Sequence, residues 1–501
     1  MFENLIVGLN FVTDPTNFAI IIIGVVLGIL VGILPGLGST AAVAIMIPVT
    51  FTMTPTQAIA MLGALYAAST TGGSITAILF RVPGESSSAV AVLDGYPMGK
   101  KGKGGRALGL AAISSAIGGI FSAIVLMTLA PQLAKVALSF DQAEYFAITI
   151  FALSAVISLG SKSQLKSAIS LFIGLFVVTI GVSDVTGIDR FVFDSNYLRY
   201  GVSLTAVAVG LFGFSEFLRC AATPTSAPPP SSQQESGHRI RADLTTIKDF
   251  WRMKVTVARS LLIGTFLGIL PGTGSTISSI ISYNEAVRSS KTPEKFGTGV
   301  DEGIVAPEVA NNAATGGSLV PTLTLGIPGS GTTAVILAAM ISHGLTPGPL
   351  LFTSNSELVW GVLAAFLMAN VLMLVVGLTA IWMVVKVLSI PGSVLNVFVF
   401  LLCVMGAFGI NNNLIDVWIM LIFGLLGVVL EKYDYPLMPL VVGIILGPMI
   451  ENALETGLII YGSFWPFVTR PIGGTVLVLA LIALAFPTLK HLYGRTFQRT
   501  N

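Results

Sequence analysis

The chain is poor in charge. Of its 501 residues, 26 are Lys or Arg and 24 are Asp or Glu, so 10% are charged, against about 25% in a typical soluble domain. A soluble fold of this length needs a charged surface that such a composition does not supply. This excludes an ordinary cytosolic enzyme and a disordered protein. An outer-membrane barrel is disfavoured as well, because its strands alternate apolar and polar residues.

Cysteine and histidine are also scarce. The two cysteines, Cys220 and Cys403, lie far apart, so no disulfide framework is implied. The three histidines, His238, His343 and His491, are scattered and form no metal-binding pattern. An enzyme within the membrane would need a nucleophile beside a base, or a metal cluster. Because the sequence shows neither, we expect a protein that is not an enzyme.

Apolar residues are abundant, at 54%, and are accompanied by 54 glycines and 25 prolines. Polytopic membrane proteins use small residues for close helix packing and tolerate breaks within helices. The sequence therefore predicts an all-α polytopic membrane protein with discontinuous helices and possible re-entrant hairpins. From residue 107 the apolar spans are 107–130, 145–160, 167–182, 200–218, 357–385, 393–410, 414–430, 436–450 and 471–489.

Basic residues indicate which loops face the cytoplasm. None precedes Arg81, a cluster occupies 100–106, and later loops alternate between basic and mainly acidic. By the positive-inside rule we expect a periplasmic N-terminus, a cytoplasmic linker at 220–254 and a cytoplasmic basic tail at 490–499. The crossings between residues 18 and 98 must then be odd in number. One broken helix with a re-entrant hairpin satisfies this, and so do three crossings.

Three short motifs occur twice in the same order. Gly-Ile-Leu-Pro-Gly-Leu-Gly-Ser-Thr ends at Thr40, and a copy identical at eight of nine positions ends at Thr276. Thr-Gly-Gly-Ser ends at Ser74 and again at Ser318, and Val-Pro-Gly-Glu before Ser86 corresponds to Ile-Pro-Gly-Ser before Gly331. Three matches in one order predict two copies of one unit.

The copies divide the chain into repeat 1 at 1–219, the linker at 220–254, repeat 2 at 255–470, and a C-terminal transmembrane helix with its basic tail at 471–501. After the third motif, only the first copy carries basic residues. We therefore expect the two repeats to be inverted relative to each other. Many secondary transporters have this architecture, with the binding site near mid-membrane at the repeat interface.

The motifs place Pro and Gly within apolar runs, where a broken backbone leaves polar groups that need partners. The N-terminus of a half-helix suits an anion, and free carbonyls and hydroxyls suit Na⁺. The alternative is that the motifs are packing turns between short helices. The candidate substrate-binding residues are Gly36, Gly38, Ser39, Thr40, Gly72, Gly73, Gly272, Gly274, Asn311, Asn312, Gly316 and Gly317. The candidate cation ligands are Ser39, Thr40, Ser275, Thr276 and Glu308.

Two asparagines, Asn311 and Asn312, precede the glycines of repeat 2 in an apolar context, which is costly unless they are used. Their amides can donate to substrate oxygens, and we expect a glycine break after them. Glu308 is a cation ligand or a proton carrier in this interpretation. Glu85 is the comparable acid of repeat 1, or only a charge at a helix N-terminus.

These motifs, with Ala-Pro-Glu-Val-Ala-Asn-Asn-Ala from Ala306 and His-Gly-Leu-Thr-Pro-Gly-Pro from His343, resemble TctA, the large membrane subunit of the tripartite tricarboxylate transporters. The resemblance covers roughly residues 18 to 489. It implies a bacterial inner-membrane secondary transporter of citrate-like carboxylates with a small TctB-like membrane subunit and a periplasmic TctC-like binding protein. It also implies cation symport, with Na⁺ as coupling ion and H⁺ as the alternative.

Two questions stay open after this resemblance. Family members more often have Asn where this chain has Arg81, so this arginine either favours an anionic substrate near the site or lies at the cytoplasmic rim. The rival function is a stand-alone transporter or channel for another small solute. Dependence of uptake on the accessory proteins separates the two.

Overall fold

The computed structural model describes residues 2–34, 36–159, 163–183, 185–222, 244–379 and 392–498. Pro35, residues 223–243 of the predicted linker and the last residues of the basic tail lie outside them. The predicted all-α class is confirmed: within the described part, nine helices are long and apolar enough to cross a membrane. The strands there are Gly181–Val182 (β1) and Asp189–Arg190 (β2), which form one antiparallel pair.

Ten α-helices lie in the described residues up to Ala222. They are α1 Phe2–Thr13, α2 Pro15–Ile33, α3 Gly38–Thr50, α4 Pro55–Phe80, α5 Ala91–Met98, α6 Gly104–Ala137, α7 Gln142–Leu159, α8 Gln164–Val178, α9 Leu204–Ala208 and α10 Ser215–Ala222. A 3₁₀ turn, Ser86–Val90, leads into α5, and π segments follow α5 and join α9 to α10.

The described part of the second half begins with a 3₁₀ segment, Leu244–Trp251, and contains eleven α-helices. They are α11 Lys254–Ile269, α12 Gly274–Ser289, α13 Glu302–Leu325, α14 Gly331–Ser342, α15 Leu351–Ser354, α16 Ser356–Thr379, α17 Gly392–Asn411, α18 Leu414–Lys432, α19 Leu437–Tyr461, α20 Trp465–Thr469 and α21 Pro471–Gln498.

Helices α2 and α3 form a hairpin beside α4. Gly24 faces the backbone of Met61 and Gly32 faces that of Ser69, so α2 runs parallel to α4 and stops beside its interior. Helix α3 then returns, and Thr50 at its end hydrogen-bonds to His343 Nε2 (2.9 Å). Residues 18–98 therefore combine a hairpin that turns back at the level of α4's interior with one long buried helix, α4.

Helices α11 and α12 repeat this arrangement beside α13. Gly264 faces the backbone of Ala310 and Gly268 faces that of Ala314, so α11 runs parallel to α13. Helix α12 returns, and Ser282 Oγ donates to the carbonyl oxygen of Ala306 (2.9 Å). In both halves, glycines let the first helix of the hairpin approach the long helix at backbone contact.

The two long helices, α4 and α13, cross near their centres and run antiparallel. Tyr66 hydrogen-bonds to Ser318 (3.1 Å), and eight residues further along α4, Ser74 hydrogen-bonds to Glu308 (2.5 Å), ten residues earlier in α13. Because these helices carry the matching Thr-Gly-Gly-Ser motifs, this is the orientation that inverted repeats require. The repeat relation itself stays a prediction.

The other helices enclose this centre. Helix α6 lies along α13 and α16 lies along α4, so each long helix is covered by a helix from the other half of the chain. Helices α7, α8, α19 and α21 form one outer group, and α9, α10, α17 and α18 form another. Arg106, paired with Asp249 and Asp301, lies at one end, which we call the basic end. His343 and Asp141 lie at the opposite end.

Candidate functional site

Four helical segments begin inside the bundle rather than at its ends. They are α3, the segment from Ser86 into α5, α12 and α14. The turns before α3 and α12 contain Gly36, Gly38, Gly272 and Gly274 at φ of 94°, 49°, 89° and 57°. This left-handed region is easily adopted only by glycine, which explains the Gly-x-Gly of both motifs.

The Pro-Gly turns of the third motif return into the bundle beside these hairpins. A side chain at Gly84 would lie 1.8 Å from the carbonyl oxygen of Gly32, and one at Gly329 would lie 2.8 Å from that of Gly268. Glycine is therefore needed at both turns for close backbone approach. Gly329 O also accepts a hydrogen bond from the Gly272 amide (3.2 Å).

The four turns meet in a closed circuit of contacts, which we call the tip ring. Ser39 and Thr40 of α3 both hydrogen-bond to Thr332 of α14 (2.9 Å each), and Ser39 Oγ donates to Glu85 Oε1 (2.7 Å). Ser86 hydrogen-bonds to Thr276 of α12 (3.0 Å). With the bond between Gly272 and Gly329, each turn is joined to two others. The tip ring is made of residues 36–40, 84–88, 272–276 and 329–333.

The tip ring is open to solvent in part. Ser86 is exposed, and Thr40, Glu85 and Thr276 are half-buried, although the neighbouring long helices are buried at this level. One face of the ring is therefore accessible from outside the protein. The N-termini of α3, α12 and α14 end on it, and their amides and positive dipole ends favour a negatively charged ligand.

Glu308 lies beneath the ring, between three helices. Its Oε1 accepts from Ser74 of α4 (2.5 Å) and its Oε2 from Ser115 of α6 (3.1 Å). Ser74 is also 3.3 Å from Ser88 of the ring. The Glu85 Oε2 atom and the Ser87 hydroxyl are buried and have no hydrogen-bond partner. The ring and the residues beneath it thus hold buried polar groups that a bound cation or substrate can satisfy.

The two predicted asparagines differ. The side-chain oxygen of Asn312 accepts from Thr70 (3.0 Å) and Thr71 (3.3 Å), and its amide donates to the carbonyl oxygen of Glu308 (3.1 Å). It therefore ties α13 to α4. Both polar atoms of Asn311 are buried without a partner. Such a group is costly unless a ligand completes it, so Asn311 remains the stronger candidate.

The glycines in the long helices have packing positions. Gly72 lies against the backbone of Ile29, Gly316 against Ser122, and Gly317 against Thr265. The break expected at Gly316–Gly317 does not occur, because α13 is continuous from Glu302 to Leu325. The chain breaks at Gly326 instead, with φ of 70°. Gly73, in contrast, directly faces Ser88 and Glu85 of the ring.

Arg81 lies at the rim. It follows α4 with φ of 61°, is exposed, and its guanidinium stands 5.8 Å from the ring centre of Tyr96, over which Lys100 also lies. Of the two alternatives, the structure therefore places this arginine at the basic end.

Sequence reasoning missed several ring residues. Ser330 ends the third motif and Thr332, Ser86 and Ser88 follow it, and their signal is the cluster of hydroxyl residues within four positions after each Pro-Gly. Tyr66, which hydrogen-bonds to Ser318 and Ser330, carries no such signal. Ser275 lies in the ring, at the start of α12. Within the described residues, no group of three or more His, Cys, Asp and Glu side chains is suited to a metal. A Na⁺ site would instead use hydroxyls, carbonyls and single carboxylates.

Comparison with known families agrees with this architecture. Residues 18–442 match the family described as "Tripartite tricarboxylate transporter TctA family". The chain belongs to this family. TctA proteins are transporter subunits and not enzymes, and the apolar helices make this TctA protein a multi-pass membrane protein.

Two relatives of this TctA protein come from Agrobacterium vitis. The "Uncharacterized 52.8 kDa protein in TAR-I ttuC' 3'region" is 38% identical over 496 residues, covering 99% of this chain and 98% of the relative. The "Uncharacterized protein in TAR-II ttuC' 3'region" is 39% identical over 236 residues, 47% of this chain and 98% of the relative. No solved structure matches the chain.

Proposed function

We propose that this TctA subunit imports citrate-like tricarboxylates or related carboxylates and binds them at the tip ring. The observation that carries the proposal is the meeting of the N-termini of α3, α12 and α14 with hydroxyls from both halves. Helix N-termini stabilise anions without a counter-charged side chain, which suits a ligand that must be released again.

The substrate would be held by the turn backbone and by Asn311. The backbone enters the tip ring at four glycines, Gly36, Gly38, Gly272 and Gly274. Both polar side-chain atoms of Asn311 have no hydrogen-bond partner. Gly72, Gly316 and Gly317 shape the site indirectly by allowing the hairpins to pack against the long helices. Asn312 holds the long helices together and supports the site rather than touching the substrate.

Import would be driven by cation symport, with Na⁺ as coupling ion and H⁺ as the alternative. A multiply charged anion entering a negative-inside cell is opposed by about 2.3 kcal/mol per charge per 100 mV. Co-transported cations offset this. The hydroxyls of Ser39, Thr40, Ser275 and Thr276 lie in the ring, and Glu308 with its serine partners lies beside it.

The setting would be the bacterial inner membrane, with the basic end in the cytoplasm, the N-terminus in the periplasm and the C-terminus in the cytoplasm. The positive-inside rule supports this orientation. A TctB-like small membrane subunit and a TctC-like periplasmic binding protein would complete the transporter. The antiparallel α4 and α13 support an alternating-access cycle in which the α2–α3 and α11–α12 hairpins expose the ring in turn.

The test is uptake by vesicles that hold the complete three-part transporter. Each candidate acid is offered with and without a Na⁺ gradient, a proton gradient and the binding protein. We expect uptake of a carboxylate that depends on the Na⁺ gradient and on the binding protein. Uptake that is unchanged when both gradients are collapsed would refute symport, and uptake by the subunit alone would favour a stand-alone transporter or channel.

A matched pair of variants assigns the uptake to the ring. Thr332→Val removes the hydroxyl that meets Ser39 and Thr40. Thr353→Val removes an exposed hydroxyl that contacts only its own helix turn. We expect the first to raise the KM for substrate or Na⁺ by roughly 2- to 10-fold, because Ser39 and Thr40 lose a positioning hydrogen bond of about 0.5–1.5 kcal/mol. The second should leave uptake kinetics unchanged.

A further inference from the structure

A large cavity lies at the end opposite the basic end. Its volume is about 1160 Å³, and it is enclosed by the end of α8, the β1–β2 hairpin, the start of α9, the ends of α14 and α17, and α19. The polar residues that matter here are Arg190, Asn196, Arg199, Asn411, Glu451 and Asn452. Arg199 is half-exposed and Tyr200 almost fully exposed, so the cavity opens to solvent.

The residues that line this cavity include two arginines and one acid, Glu451. The basic side chains at this end of the described chain are Lys135, Arg190, Arg199 and Arg470, and two of the four line the cavity. Arg190 binds both carboxylate oxygens of Glu451, one of them at 3.3 Å. Arg199 is 3.3 Å from Asp189 at the rim. Paired nitrogens of this kind form the fork that recognises carboxylates.

The cavity and the tip ring lie at the two ends of α14. This helix begins at the ring, with Thr332 near its N-terminus, and its last residue, Ser342, lines the cavity. Ten residues of helix separate them by about 15 Å. Thr205 hydrogen-bonds to Ser342 and donates to the carbonyl oxygen of Ala338 (3.1 Å), which closes the cavity floor. The two spaces are therefore separate.

We propose that this cavity is an outer binding site for the carboxylate substrate, in which a substrate carboxylate replaces Glu451 on Arg190. The inference rests on the proposed function, because it needs an anionic substrate that arrives from this side. Glu451 offers Arg190 the same chemical group as the substrate does, so the arginine stays paired in the exchange, and the displaced Glu451 carboxylate, which is 22% exposed, turns to the water of the cavity. The cavity exceeds the usual range of about 300–1,000 Å³ for small-molecule sites, so the anion keeps water and is held loosely.

A chemical test measures the cavity without relying on transport. Asn196 is replaced by Cys in a chain whose Cys220 and Cys403 are replaced by Ser, and intact cells expressing the complete transporter are treated with an anionic or a cationic methanethiosulfonate reagent. The rate of each reagent at this cysteine is divided by its rate with a small free thiol. We expect this ratio to be higher for the anionic reagent than for the cationic one. Citrate should slow both reactions by occupying the cavity.

Two variants separate binding from a merely structural ion pair. Arg190→Gln removes the cation and should raise the citrate concentration needed for protection by about tenfold. Glu451→Gln removes the competing carboxylate and should lower that concentration. If the pair only held the loop in place, both variants would shift protection in the same direction. Arg470→Gln, which breaks an ion pair with Asp141 at the same end but outside the cavity, is the matched control and should shift nothing.

The outcomes distinguish this inference from the proposed function. Vesicles that hold the unaltered transporter and take up no carboxylate would refute the proposed function. The outer site alone would be overturned if vesicles take up carboxylate but Asn196→Cys shows no preference for the anionic reagent. It would also be overturned if vesicles take up carboxylate but the Arg190 and Glu451 variants shift protection equally. Opposite shifts in these two variants, with the Arg470 control unchanged, would support it.

Discussion

Asn311 and Asn312 are adjacent in α13, yet we predict opposite effects when each is replaced by Ala. Asn312 makes three hydrogen bonds, to Thr70, Thr71 and the Glu308 carbonyl oxygen. Removing its side chain leaves buried hydroxyls with fewer partners, which costs about 1–3 kcal/mol of unfolding free energy. Asn311 makes no hydrogen bond through its side chain. Replacing an unsatisfied amide by an apolar group should therefore change stability by less than about 1 kcal/mol.

Transport should respond in the reverse order. If Asn311 completes its hydrogen bonds with the substrate, its loss removes about 1.5–3 kcal/mol of binding, or roughly 10- to 150-fold in affinity. The assay pairs the thermal unfolding midpoint of each purified variant with the KM for uptake in vesicles. Asn311→Ala should unfold like the unaltered protein and transport poorly at low substrate concentration. Asn312→Ala should unfold at lower temperature. Normal uptake kinetics for Asn311→Ala would refute its role in binding.

Three further predictions concern the fold. Gly84→Ala should abolish uptake because a Cβ there would lie 1.8 Å from a carbonyl oxygen of α2, whereas Gly63→Ala, with its nearest neighbour at 3.8 Å, should leave vesicle uptake normal. Asp94→Ala should lower the thermal unfolding midpoint more than Tyr283→Phe does, because the Asp94 carboxylate accepts hydrogen bonds from three backbone amides as well as from the Tyr283 hydroxyl. Equal decreases in the midpoint would contradict this. A cysteine at Asn4 should react with an impermeant reagent applied to intact cells; protection there would reverse the proposed orientation.

The helices and the turns could be predicted from composition and repetition. Gly-Ile-Leu-Pro-Gly-x-Gly-Ser-Thr marks chain reversals because its glycines adopt positive φ, and Gly36 and Gly272 do so. The apolar runs from residue 107 onwards correspond to α6 and the later helices. These features are local, since a turn or an apolar run is encoded by neighbouring residues.

The partners across the site could not be predicted. The expected break at Gly316–Gly317 was wrong because glycines within a membrane helix also serve close packing, and only the positions of α6 and α11 decide between the two uses. Likewise, Asn311 and Asn312 look equivalent in the sequence. Their difference depends on where Thr70 lies in α4, some 240 residues away. Such registers between distant helices are set by tertiary packing.

The most direct measurement of the central claim is a structure of the complete transporter with its transported carboxylate and Na⁺ bound. We predict that the carboxylate lies in the tip ring, against the N-termini of α3, α12 and α14 and hydrogen-bonded to Asn311, with the cation among the hydroxyls of the same turns. A substrate bound away from these turns, with the tip ring unchanged and Asn311 still without a partner, would contradict it.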